Sequence, residues 1–168
     1  VLFILIEPFH PSNECLLRFH DSLKNREPFY IHSYFNKSQG PSKTIGSVIK
    51  FKTSSFKIST YDPKVGHSLV FSQELTPSFK LMIFGAEHDA VELCKLASFN
   101  GWDVTIIAGP LEMKSIEHFP GATAFYTALT NHLEIHPIDE HTAVVIMSHN
   151  FSNDLKYLIE LKNDFKYG

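Results

Sequence analysis

The chain has 168 residues, of which 43% are hydrophobic and 20% charged, with a net charge of −3 and two cysteines. That make-up excludes a disordered or fibrous polypeptide and a disulfide-built scaffold, and it suffices for one good core or two small ones. Residues 1–79 carry nine Lys and Arg against six Asp and Glu, and residues 80–168 carry six against twelve, an acidic balance that argues against a nucleic-acid partner.

The opening run Val1–Ile6 reads as a strand, stops at Glu7 and Pro8, and lacks the basic flank and small-residue cleavage site of a leader. No apolar run approaches the roughly 20 residues that a membrane helix needs. No membrane partner is expected, and the reducing cytoplasm is the expected location. Ser12–Cys15 supply capping residues and an early acid. Leu16, Leu17, Phe19 and Leu23 then give a mostly apolar helical face that ends near Glu27 and Pro28. From Phe29 to Leu75 the pattern changes to short β-rich pieces, 29–35, 44–51, 56–61 and 68–75, parted by Ser, Gly, Pro and Asn clusters. They predict a small antiparallel sheet, with Lys37, Lys43, Lys50, Lys52, Lys57 and Lys64 as its solvated face and edge protection.

Thr76–Ser78 mark a boundary, because Pro77 restricts its neighbours and the hydrophobic period changes beyond it. The expected organisation is a small α+β unit over 1–77 and an α/β unit over 78–168. The chain begins inside a strand-like run and closes just after a helix, so both ends are expected to continue in a longer polypeptide. In the second unit the signals alternate: a strand at 80–84, a helix at about 87–99 and a strand at 103–107. An irregular stretch holding Phe119–Ala122 follows, then a strand at 142–147 and a helix at about 151–163. Leu81–Phe84, Val104–Ile107 and Ala143–Met147 are continuous apolar runs, as strands buried on both faces are. They predict a parallel sheet with crossover helices.

Between the first of these strands and its helix lies Gly85–Ala90, GAEHDA. A glycine bend opening a helix after a strand is the first turn of a Rossmann-like unit, where helix N–H groups hold a phosphate. The fingerprint G-x-G-x-x-G is broken here, since Glu87 stands at the second glycine and Ala90 at the third. The acid expected about 20 residues on is absent, as Asp103–Ile107 runs into Ala108, Gly109 and Pro110. NAD(P) is therefore disfavoured by Glu87, and the fold signal exceeds the cofactor signal. Open α/β sheets bind ligands beyond the carboxyl ends of their strands, so Gly85 and His149 are expected to converge on one crevice. His88 could donate to a phosphate or act as an acid or base. Glu87 and Asp89 read as acids complementing the helix dipole. Asp154 either orients His149 or caps the last helix, with Ser148 and Asn150 at the same mouth. His132, His136 and His141 lack a zincin glutamate, and Pro137 interrupts them, so no metal is expected. Cys94 reads as a small core residue.

The order of these pieces resembles the xanthine dehydrogenase accessory and carbon monoxide dehydrogenase maturation proteins, the XdhC/CoxI family. Gly85, Ala86, His88 and Ala90 match that family's first turn. Phe119, Pro120 and Ala122 match its Phe-Pro-x-Ala loop, and His149, Asn150 and Asp154 its last motif, while Leu5–Pro8 resembles its N-terminal Glu-Pro element. The resemblance covers most of the chain, with departures at Glu87, Asp89 and Ala108–Gly109. It implies a non-enzymatic maturation factor that binds molybdenum cofactor, presents it for sulfuration and hands it to a molybdenum hydroxylase such as xanthine dehydrogenase. The implied partners are that apoenzyme and a cofactor-sulfurating enzyme, with a homodimer also compatible. The implied cofactor site is Gly85, Ala86, His88, Ser148, His149 and Asp154. Two alternatives stand beside it: an NAD(P)-binding oxidoreductase-like protein using the same turn, and a non-catalytic interaction protein that has lost its ligand.

Overall fold

The structure is a computed structural model, and it describes residues 4–37, 40, 42–59, 69–129 and 138–162. The chain divides into two compact units, Val1–Pro77 and Ser78–Gly168.

In the first unit, helix α1 spans Asn13–Lys24. The Ser12 hydroxyl accepts the Cys15 N–H at 3.2 Å, Glu14 lies in the first turn and Lys24 in the last, so cap and dipole are both complemented. Strands β1 (Phe29–Phe35), β2 (Gly46–Lys50), β3 (Ser55–Lys57) and β4 (Leu69–Leu75) form one sheet in the order β3-β2-β1-β4, every pair antiparallel. Cys15 of α1 packs with Phe29, Ile49 and Ile58, and Phe19 meets Phe29 edge-on at 5.2 Å between ring centres.

The described part of the predicted opening strand is irregular. Residues 4–12 have no regular structure, Ile4 and Ile6 are 74% and 86% exposed, and residues 1–3 lie outside the described part. Pro8 and Pro11 lack N–H donors, so a ladder could not continue beyond Glu7. The segment is tied by other means: the Glu7 carboxylate accepts the Ser47 N–H at 2.9 Å and the Ser59 hydroxyl at 3.3 Å, and the His10 N–H donates to the Ile58 carbonyl.

The second unit contains β5 (Lys80–Phe84), α2 (His88–Phe99), β6 (Asp103–Ala108), β7 (Ala122–Thr127), β8 (Thr142–Ile146) and α3 (Phe151–Leu161). Its strands are parallel in the order β7-β6-β5-β8, so the fold is α/β and Rossmann-like, as the alternating pattern predicts. Alternation of side chains assigns each face its helix. Leu81, Ile83, Val104 and Ile106 pack with Ala90, Cys94 and Ala97 of α2, whose small side chains let the helix lie close. Met82, Phe84 and Ile107 pack with Tyr157 and Leu161 of α3. Strand β7 falls in the stretch that reads as irregular. It ends the strand order and is only partly covered, so it lacks the continuous apolar run by which β5 and β6 are found. No helix among the described residues is long and apolar enough to cross a membrane.

Candidate functional site

Strand β5 leads out of the sheet into α2, while β8, its neighbour on the other side from β6, leads into α3. The chain order reverses between β5 and β8, and such a switch point leaves a crevice between the two exits at the carboxyl ends of the strands. Gly85 is the residue that lets those exits meet. Its φ is +144°, and a Cβ there would stand 2.3 Å from the Met147 carbonyl oxygen and 3.2 Å from the Ser148 nitrogen. The glycine thus serves backbone contact between β5 and β8, and Ala86 beside it is buried in the α2-side core.

The turn after β8 is held by one carboxylate. Asp154 accepts the Ser148 N–H at 3.1 Å and also the Ser148 hydroxyl. Asn150 caps α3 by accepting the Asn153 N–H at 3.1 Å. Between these anchors His149 sits in the left-handed region at φ +56°, which is uncommon for a residue with a side chain. Its ring crosses the crevice: Nε2 lies 2.7 Å from the Asp89 carboxylate in the first turn of α2, leaving Nδ1 without a partner among the described residues. The other Asp89 oxygen accepts the Ala90 N–H at 2.9 Å.

Gly85, Ser148, His149 and Asp154 are therefore brought together as neighbours. His88 is exposed at the first position of α2 and makes no hydrogen bond among the described residues. Two participants are missing from the sequence reading. Asp89, read as a dipole complement, also orients His149. Lys114, on the loop after β6, lies 3.9 Å from Glu87 and 3.7 Å from Glu112, so a cation stands beside the carboxylate that breaks the fingerprint. His132 and His136 lie outside the described residues. His141 precedes β8, and its carbonyl accepts the Lys80 N–H. Cys94 is buried in the α2-side core, its thiol 3.7 Å from the Pro120 carbonyl oxygen.

The hydrogen bond to Asp89, and then its charge, hold the His149 imidazolium above the ordinary histidine value, while the same bond holds the Asp89 carboxyl below the usual carboxylate range. The sign follows. The His149 contribution is complete below the unfolded value and is lost as pH rises through the elevated folded one, and the Asp89 contribution is lost as pH falls through its depressed one. Following the imidazole protons by NMR should place the His149 midpoint above that of an unfolded histidine, and Asp89→Asn should move it down. An unchanged midpoint in the variant would show that the pair does not form in solution.

The sequence profile of the XdhC Rossmann domain matches residues 81–167, more than half of the chain. The chain belongs to the XdhC family. No curated protein matches it significantly. Among solved structures it is similar to a Bacillus halodurans protein described as a xanthine dehydrogenase, with a TM-score of 0.68 and 20% identity. The match covers 92% of this chain and 50% of the other, so the chain spans about half the length of that relative. At that identity the likeness speaks for the fold. The XdhC match includes every residue of the crevice, from Gly85 to Asp154.

Proposed function

We propose that this XdhC chain is a cytoplasmic maturation factor that binds molybdenum cofactor and delivers it to a molybdenum hydroxylase such as xanthine dehydrogenase, without catalysing a reaction itself. The observation that carries the reading is the meeting of two helix N-termini and the His149 ring at the β5/β8 switch point of an XdhC domain. The cofactor is a pterin with a dithiolene and a phosphate. The donor set fits its phosphate: helix N-termini present N–H groups and positive potential, His149 adds an imidazole that is a cation when protonated, and Lys114 stands nearby.

Glu87 and Asp89 oppose an anion, yet Glu87 has Lys114 beside it and Asp89 has His149, a cation when protonated. These pairs are exposed or half-exposed, where ion pairs are weak, so a phosphate can exchange with the carboxylates for the same cations. In the bound state the first-turn N–H groups of α2 and α3 would face the phosphate, His149 would balance its charge, and Asp154 would hold the turn that aims His149. The bound group would supply the metal–dithiolene centre that the recipient enzyme uses. The recipient apoenzyme and a sulfurating enzyme are the proposed partners, with self-association into a dimer compatible.

The test is molybdenum and pterin analysis of full-length protein purified from cells with cofactor biosynthesis intact, beside His149→Ala. Both should be retained by the wild type and lost in the variant. Folded wild-type protein free of molybdenum and pterin, with cofactor demonstrably available, would overturn the proposal in favour of an interaction protein that has lost its ligand.

A further inference from the structure

Next to the crevice, on the α3 side of the sheet, lies a cleft of about 490 Å³, within the range of about 300–1,000 Å³ usual for small-molecule sites. One wall is the loop after β6, from Gly109 to Met113, and the other is Asn153 and Tyr157 of α3, with Leu129 also lining it. Both walls continue into the crevice. The loop goes on to Lys114 beside Glu87, and α3 begins at the turn that holds His149.

Three polar groups on this cleft have unused hydrogen-bonding capacity among the described residues. Tyr157 is 2% exposed, its ring packs on Phe84 at 5.0 Å, and its hydroxyl has no hydrogen-bond partner. The one fully buried side-chain oxygen without a partner among the described residues is that of Ser54, so the hydroxyl of Tyr157, a residue that lines the cleft, keeps some access to solvent. The Asn153 side-chain amide is likewise unpaired. One oxygen of Glu112 accepts the Lys114 N–H at 2.9 Å, and the other is open. On either side of Glu112 in the loop, and across from Asn153 and Tyr157, Leu111 and Met113 are 92% and 93% exposed, large apolar side chains left in water.

A flat ring with a donor-rich edge answers both features, since apolar side chains cover its face while a carboxylate, an amide and a hydroxyl read its rim. We infer that this cleft receives the 2-amino-4-oxopyrimidine edge of a pterin ring, a reading that rests on the cofactor proposal above for its choice of ring. Glu112 accepts the amino and ring N–H groups, Tyr157 donates to the ring oxygen or a ring nitrogen, and Asn153 can do either. Guanine shares that edge.

The experiment uses the full chain and 6-hydroxymethylpterin, which has neither phosphate nor metal, with binding read from the pterin's own fluorescence. The wild type should bind it. Tyr157→Phe keeps the ring on Phe84 and removes only the hydroxyl, and Glu112→Gln removes only the charge. Each should weaken binding by roughly 5- to 10-fold, the scale of one lost hydrogen bond, with thermal unfolding confirming that both variants fold. Lumazine, which carries an oxygen in place of the amino group, should bind more weakly than the pterin. Absence of pterin binding to the folded wild type, equal affinity in all three proteins, or tighter binding of guanosine than of the pterin would each overturn the inference. Molybdenum retained without pterin-probe binding would sink this cleft and leave the cofactor proposal standing. Probe binding without molybdenum retention would do the reverse.

Discussion

Replacing Gly85 with alanine is expected to destabilise the second unit by about 3 kcal/mol or more, the range of a strained backbone position combined with a steric clash. The added Cβ would stand 2.3 Å from the Met147 oxygen and 2.7 Å from its carbonyl carbon. Both are backbone atoms, so no side chain can swing aside. Nor can either strand exit retreat freely. The Gly85 N–H donates to the Ile107 carbonyl at 2.9 Å, and the Met147 N–H donates to the Phe84 carbonyl at 2.8 Å. Separating β5 from β8 at this level breaks one of these or bends the sheet. Equilibrium urea unfolding of wild type and G85A measures the effect, and a difference below about 1 kcal/mol would contradict this account of the glycine.

Asp154→Ala should cost about 2 kcal/mol and should also disturb the crevice. The carboxylate accepts both the N–H and the hydroxyl of Ser148, and hydrogen bonds to a charged group are worth about 1.5–3 kcal/mol each way of counting. Without it, two donors in a partly buried turn lose their acceptor, and the left-handed residue that follows keeps only its bond to Asp89 and the Asn150 cap beside it. Asp154→Asn keeps one acceptor oxygen and should cost less. The Asp154 charge also helps hold the His149 imidazolium above its ordinary value, after the larger effects of Asp89 and Glu87. Both variants should therefore lower the His149 midpoint in an NMR titration. Loss of stability with that midpoint unmoved would make Asp154 a structural brace with no influence on the site.

How much of this was legible in the sequence depended on whether a residue's role was local. The continuous apolar runs of β5 and β6 announce strands covered on both faces, and the structure covers them with α2 and α3. Strand β7 carries no such run because one side is left partly open, with Thr123 donating to Asp103 and to the Val104 carbonyl in place of apolar packing. The opening apolar run failed in the other direction. Val1–Ile6 has strand composition, but Pro8 and Pro11 and the Glu7 bonds hold the described part of the segment in an irregular path. Composition describes what a strand prefers, and the bonds a segment makes elsewhere decide whether it pairs.

In the site, the meeting of the β5 and β8 exits was foreseeable from parallel topology, because the switch point follows from strand order. The identity of the residue facing His149 was not. Asp89 and His149 are 60 positions apart, and their distance depends on a left-handed turn that Asp154 imposes. Asp89 has a sufficient local role in accepting the Ala90 N–H, which hides its second one. Lys114 gave no signal at all, since it sits in a loop of no recognisable pattern and reaches Glu87 only through the path of that loop.

The two cysteines offer a use unrelated to any ligand. Cys15 belongs to the core of the first unit and Cys94 to that of the second, each buried and each with its thiol pushed above the ordinary value by burial. A thiol so placed is sheltered from alkylating reagents until its surroundings open. The chain thus carries one chemical clock per unit. Timed exposure to iodoacetamide, followed by mass spectrometry of the two peptides, reports the opening of each unit separately, without any substitution.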